Sequence, residues 1–243
     1  MWPENTLGAF RRAYDLGLRW METDLHVTAD GVPVCLHDRT LDRTTSARGL
    51  VIDWTLAELV DVDATARFVG PTTVESEGIP TFESVVDALP GTRWVIDMKD
   101  HGVERPLAQL LARRGWQDRV VVGSFSDERL RLFRQMTGGT VATSTGPGET
   151  WAMWRSAICG RTPRLQPDAL QIPATYRGLP VVTERSTEAF LATGAQIHVW
   201  TVNDADTMRR LLRWGVQGII TDRPDVAREV FEELGFWNEP DDG

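Results

Sequence analysis

Met21-Glu22-Thr23-Asp24-Leu25-His26-Val27-Thr28-Ala29-Asp30-Gly31-Val32-Pro33-Val34-Cys35-Leu36-His37-Asp38 decides the fold. The apolar run from Leu18 to Val27 and the one from Val32 to Leu36 read as strands. Thr28 to Gly31 between them is a turn, too tight to hold a helix. Further strand-like runs follow at Trp94 to Met98, Val120 to Phe125, Val141 to Thr143, Ala169 to Ile172, Gln196 to Val202 and Gly218 to Thr221. Segments with apolar residues at helical spacing lie between them: Thr6 to Leu16, Thr81 to Leu89, Glu104 to Arg114, Asp127 to Met136, Thr187 to Thr193 and Ala205 to Trp214. Thr81, Ser126 and Asn203 stand where helix N-caps are expected. Strands alternating with helices predict a mainly parallel sheet, hence an α/β fold. The length, 243 residues, matches the roughly 250 residues of one α/β barrel.

Besides the turn between Val27 and Val32, one stretch departs from the alternation. Residues 39 to 80 are rich in Thr, Asp and Gly with one short helical piece at Leu56 to Val60, and are expected to form a small insertion at the barrel rim. The tail 238 to 243 is expected to fray. A single domain over 1 to 237 is therefore predicted. The formal charge of -9 and the lack of a basic cluster argue against nucleic acid as a partner. The sequence has no apolar run long enough to span a bilayer, and its start lacks the pattern of a signal peptide, so a cytoplasmic protein is expected. Cys35 and Cys159 suggest neither a metal site nor a disulfide framework and are both expected to be small core residues.

Residues two apart on a strand point to the same side, so Glu22 and Asp24 aim two carboxylates at one place, and Asp97 with Lys99 repeats the arrangement on a later strand. Both pairs sit at strand ends, where barrels of this class carry their active sites. Three carboxylates from two strands make a hard, oxygen-rich site suited to magnesium, calcium or manganese. The alternative is that Glu22 and Asp24 form ion pairs with rim arginines. Lys99 is singled out by composition: of 26 basic residues it alone is lysine. A chain that uses Arg everywhere else has kept a compact ammonium here, which predicts a functional role over that of a solvated surface residue. His37 emerges where a strand meets a loop and can protonate a departing alkoxide at neutral pH. A lone histidine at such a place also serves as a structural hydrogen-bonder. His26 reads as a turn residue, His101 as a loop residue and His198 as a side chain within a strand.

Taken in order, Pro3-Glu4-Asn5-Thr6, Glu22 to Val27, Asp30-Gly31 leading to His37-Asp38, Thr40-Leu41-Asp42-Arg43-Thr44-Thr45, Ile79-Pro80-Thr81-Phe82-Glu83, Asp97-Met98-Lys99, Ser124-Phe125, Val199-Trp200-Thr201-Val202-Asn203 and Thr221-Asp222-Arg223-Pro224 span nearly the whole chain. Together they resemble the glycerophosphodiester phosphodiesterase family. The resemblance implies a (β/α)8 TIM barrel of the phospholipase-C-like phosphodiesterase type and metal-dependent hydrolysis of glycerophosphodiesters to glycerol 3-phosphate and an alcohol. The implied partner is a small-molecule substrate. Glu22, Asp24 and Asp97 become the ligands of a divalent cation, Mg or Ca. His37 becomes a catalytic acid/base, Lys99 a stabiliser of phosphate charge, and Phe125 and Trp200 the lining of the substrate mouth. The family more often has Glu at the position of Asp97; the shorter side chain still ligates through a small shift or a water.

Members of the family begin with a strand ending in His-Arg-Gly shortly before Pro-Glu-Asn-Thr, whereas this sequence starts at Met1-Trp2. The expectation is a barrel lacking its first strand as the sequence stands, with Met1 an internal methionine of a longer protein. The rival expectation is a catalytically impaired module that binds phosphodiesters or regulates.

Overall fold

A computed structural model of the chain describes residues 2–70, 73–161, 165 and 167–237. The expected frayed tail lies outside the described residues, as do positions 71 and 72 of the expected insertion. Two compact units, Met1–Val141 and Ala142–Gly243, are described in turn.

In the first unit Thr6 caps α1 (Leu7–Asp15), its hydroxyl accepting from the Ala9 N–H at 3.2 Å. The helix feeds β1 (Trp20–Val27), which turns through Thr28–Gly31 into β2 (Pro33–Cys35). Gly31 at φ 83° supplies the left-handed residue of that turn. β2 pairs antiparallel with β1, Leu25 opposite Cys35. Within residues 39 to 80, α2 (Leu56–Leu59) carries a capping box between Thr55 and Glu58. This insertion has its own apolar cluster, in which Leu41, Val51, Leu59, Val62 and Ile79 pack with Val34 and Leu36.

Helix α3 (Phe82–Ala88) is capped by Thr81 as expected, through the Ser84 N–H at 3.0 Å. It leads to β3 (Arg93–Met98), α4 (Glu104–Arg114), β4 (Val120–Gly123) and α5 (Asp127–Thr137), the last capped by Ser126. The sheet order is β2-β1-β3-β4, with β1, β3 and β4 parallel. The core beneath it centres on Trp94, whose ring meets Phe10 and Phe82 edge-on at 5.2 and 5.7 Å. Its indole N–H is not orphaned by burial, because it donates to Thr92 Oγ1 at 2.9 Å.

The second unit opens with β5 (Ala142–Thr143) and α6 (Pro147–Ile158). α6 was not expected from the sequence. Its first turn reads Gly146-Pro147-Gly148-Glu149, a loop by composition, yet Pro147 sits at the start of the helix where its missing N–H costs nothing, and Glu149 accepts from the Gly146 N–H at 3.0 Å. Then come β6 (Ala169–Pro173), the short pair β7 (Thr175–Tyr176) and β8 (Leu179–Pro180), and α7 (Glu184–Leu191). α7 starts three residues before the expected Thr187, because Thr183 and Ser186 form its cap. β9 (Gln196–Trp200), α8 (Ala205–Arg213), β10 (Gly218–Ile219) and the unexpected α9 (Pro224–Glu233) complete the unit. The parallel order is β10-β9-β6. Asp204, not Asn203, caps α8. Asn203 instead donates to Asp222 and accepts from the Thr221 hydroxyl and the Asp222 N–H, all at 2.9 Å.

Cys35 is buried as expected, and burial pushes its thiol up to about 12. Cys159 is exposed at the end of α6, contrary to the expectation of a core residue. Gly218 lies opposite His198 across β9 and β10, and a Cβ there would stand 2.6 Å from the His198 ring. The glycine makes room for the buried imidazole. Gly218→Ala is therefore expected to cost about 1–3 kcal/mol, as overpacked cores do. A urea midpoint equal to wild type would show that the ring can move aside without loss.

Candidate active site

The first unit gathers an acidic and basic cluster on β1 and at the carboxyl end of β3; Glu22 and Asp24, expected at a strand end, stand within β1, which runs on to Val27. The strands are parallel with Asp24 directly opposite Asp97, and Glu22 sits two residues earlier on β1 opposite Val95. Lys99 follows the end of β3, and its ammonium lies 2.8 Å from Asp24 Oδ1 and 2.7 Å from Asp97 Oδ2. Burial opposes the Lys99 charge, but Asp97 and then Asp24 outweigh it and raise the group above the ordinary lysine value, so it is held charged at neutral pH. Lys99 is thus no surface residue: its side chain is only 18% exposed. Its ammonium also stands 5.8 Å from the centroid of the exposed Phe125 ring, just beyond β4.

Asn5 holds the other side of Asp24, donating from Nδ2 to Oδ2 at 3.1 Å while its own Oδ1 accepts from the Thr23 hydroxyl at 2.7 Å. Asn5 adopts φ 53°, the left-handed region that asparagine tolerates better than most residues. Each Asp24 oxygen therefore has a donor. Asp97 does not match this, since its Oδ1 is buried with no hydrogen-bond partner.

An orphaned buried carboxylate oxygen is costly unless something completes it. Glu22, Asp24 and Asp97 together offer hard oxygen donors of the kind magnesium and calcium take. Among the described residues, however, no group of three His, Cys, Asp or Glu side chains is drawn to metal-holding spacing. The Lys99 ammonium bridges Asp24 and Asp97 instead. The chemistry of the donor set and the unsatisfied Asp97 oxygen fit a divalent cation.

His37 follows β2 and is exposed, with its Nδ1 2.7 Å from Asp38 Oδ1. The backbone brings it near the cluster, since the Leu36 N–H donates to the Asp24 carbonyl at 3.0 Å. Asp38 in turn accepts from Arg43 Nε at 2.6 Å, and Arg43 Nη1 donates to Glu4 at 2.9 Å. Hydrogen bonding from Arg43 is the main cause that pushes the Asp38 carboxyl down to about 2, against a smaller effect of burial and with further help from His37.

His26 was read as a turn residue and is not one. It lies within β1, 1% exposed, with Nδ1 2.9 Å from Asp100 Oδ2 and Nε2 3.2 Å from the backbone carbonyl of His37. Arg39 Nε reaches Asp100 Oδ1 at 3.0 Å. His101 is a loop residue as expected, beside Glu104 at 3.2 Å. His198 is buried within β9, and burial lowers its basicity. Trp200 ends β9 in the second unit, half-buried and opposite Pro173.

Asn5, His26 and Asp100 were missed as parts of this site. Asn5 and His26 each stand in a quoted motif, Pro3-Glu4-Asn5-Thr6 and Glu22 to Val27, whereas Asp100 stands in none.

Comparison with known proteins gives a consistent result. A family model described as the Glycerophosphoryl diester phosphodiesterase family matches residues 1–226. A Mycobacterium tuberculosis protein named "Probable glycerophosphodiester phosphodiesterase 2" is 36% identical, over 97% of this chain and 88% of its own length. A glycerophosphodiester phosphodiesterase of Caldanaerobacter subterraneus is 30% identical, over 96% of this chain and 94% of its own. Among solved structures, a glycerophosphoryl diester phosphodiesterase domain from Mycobacterium tuberculosis superposes with TM-score 0.82 at 21% identity, covering 94% of both chains. A phosphodiesterase of Oleispira antarctica, solved with the product sn-glycerol-3-phosphate, superposes with TM-score 0.72 at 21% identity, over 95% of this chain and 92% of that one. The fold class is that of these structures, the α/β TIM-barrel type expected from the sequence.

Proposed function

We propose, from the premise that this chain belongs to the glycerophosphoryl diester phosphodiesterase family, that it hydrolyses glycerophosphodiesters to glycerol 3-phosphate and an alcohol. The reading takes residues 1 to 237 as one domain acting on a small-molecule substrate. The observation that carries it is the Asp24–Lys99–Asp97 cluster, with one buried oxygen of Asp97 left over. The product complex of the Oleispira antarctica relative supports glycerol 3-phosphate as the common part of the substrate.

Glu22, Asp24 and Asp97 would hold a divalent cation, magnesium or calcium, which when bound polarises phosphoryl oxygens. Lys99 places a fixed positive charge where negative charge develops on the phosphoryl group, and its two carboxylate partners keep it protonated and aimed. Asp38 accepts from Nδ1 of His37, which leaves Nε2 to carry a proton to the departing alkoxide. The Arg43 contact keeps Asp38 ionised across the neutral range, so that support does not fade near pH 7. Phe125 would line the mouth through which the alcohol leaves, a role that the family resemblance also gives to Trp200.

The test is release of glycerol 3-phosphate from glycerophosphocholine, titrated with magnesium and with calcium. Turnover that rises with cation and stops in excess chelator is expected. Full turnover in chelator would remove the cation from the reading. No turnover at saturating cation, with glycerophosphocholine still bound, would replace the hydrolase with a binding module.

A further inference from the structure

We infer that His26 is a positioning residue for the proposed acid His37, acting through the backbone that carries it; the inference rests on the hydrolase reading above. His37 has an exposed side chain, at 54%, on a loop that leaves the sheet after only three residues of β2. An exposed imidazole loses entropy when it is held ready, and a displacement of about 1 Å can cost about 10²-fold in rate. Asp38 fixes the ring from beside it, but Asp38 rides on the same loop, and its tie to another element runs through the solvent-exposed Arg43–Glu4 pair.

His26 comes from a different and rigid element. It is buried in β1, which is paired on one side with β2 and on the other with β3, and its Nε2 faces the His37 carbonyl at 3.2 Å. The opposite ring edge is braced by Asp100 at 2.9 Å, one residue after Lys99, and Asp100 is braced in turn by Arg39 at 3.0 Å. Both partners of the ring are acceptors, so it meets both when each nitrogen carries a hydrogen, with the Asp100 carboxylate balancing the charge; Nε2–H then donates to the His37 carbonyl and pins the loop at the residue that matters. One buried ring therefore ties the loop carrying the proton donor to the loop carrying the phosphate-facing ammonium. A buried polar side chain with both ring nitrogens engaged fits a specifying role better than a filler, since an apolar residue of similar volume would cost less to bury.

The choice of leaving group separates positioning from general damage. Choline departs as an alkoxide that needs a proton, whereas nitrophenolate departs as a stable anion that does not. A misplaced His37 therefore slows glycerophosphocholine far more than bis(p-nitrophenyl) phosphate. A loosened fold or a disturbed Lys99 slows both alike. Wild type, His37→Ala, His26→Leu, His26→Gln and Asp100→Asn are compared for kcat on both substrates, with circular dichroism to confirm folding.

The expected result is that the ratio of glycerophosphocholine to aryl turnover falls by about 10²-fold in His37→Ala and His26→Leu. His26→Gln, which keeps one donor, recovers part of the ratio. Asp100→Asn lowers it by a smaller factor and serves if His26→Leu does not fold. An unchanged ratio in the folded His26 and Asp100 variants, alongside a collapsed ratio in His37→Ala, overturns the inference and leaves the hydrolase reading standing. A wild type without turnover on either substrate overturns the hydrolase reading instead.

Discussion

Asp24→Asn is expected to lower hydrolysis of glycerophosphocholine by about 10³-fold or more with the fold intact, and Glu22→Gln to do the same, because neutral amides remove the charge that holds a hard cation. Asp24 is the more informative position. It is 6% exposed and uses one oxygen for Asn5 and the other for Lys99. An amide has only one acceptor oxygen, so the substituted side chain cannot keep both contacts, but it keeps the shape and one of them. Asp97 still accepts from Lys99 at 2.7 Å, so the ammonium is not stranded. Circular dichroism should show a folded chain, and calorimetric titration should show magnesium or calcium binding weakened at least about tenfold. Retention of both cation affinity and turnover would sink the ligand set. Loss of turnover with cation affinity intact would reassign Asp24 to the support of Lys99.

Lys99→Arg is expected to lower turnover by about two orders of magnitude or more, the usual loss when one fixed electrostatic stabiliser is displaced. The substitution keeps the charge and changes only its shape. An ammonium fits between Asp24 Oδ1 and Asp97 Oδ2, at 2.8 and 2.7 Å. A planar guanidinium is wider and prefers two parallel bonds to one carboxylate. It would turn towards one aspartate and crowd the space facing Phe125. Were Lys99 an ordinary basic residue, arginine would serve, as it does at every other basic position. Near wild-type rates on glycerophosphocholine and on an aryl phosphodiester would show that its shape is irrelevant to catalysis.

The spacing of Glu22, Asp24, Asp97 and Lys99 was legible because strand geometry has a short period and charged residues interrupting apolar strands stand out. Their register, Asp24 opposite Asp97, came from the sheet and from nothing local. His26 was illegible for a related reason. From Thr23 to Val27 every residue of β1 is buried, so the alternation that would mark an inward side chain is absent, and the adjacent turn suggested exposure. Helices α6 and α9 both begin with proline, which breaks a helix in its interior but suits its first turn. Composition alone could not distinguish the two cases. Asn203 looked like a cap because the acidic Asp204 and Asp206 follow it, as in a first helical turn. The next residue took that task, leaving Asn203 to bind the Thr221–Asp222 turn. Cys159 lies at a helix end, where periodicity gives no direction.

Strand β2 sends Cys35 into the main core and Val34 into the cluster of the insertion, which Leu36 just after the strand also joins. It is a wall shared by two cores. The insertion therefore cannot open as an independent unit, because its opening would bare one face of the strand that runs directly into His37. Amide protons of Cys35 and Leu36, bonded to Pro80 and Asp24 carbonyls, report on both sides of that wall at once. Anything that stabilises the insertion therefore also firms the loop that carries His37.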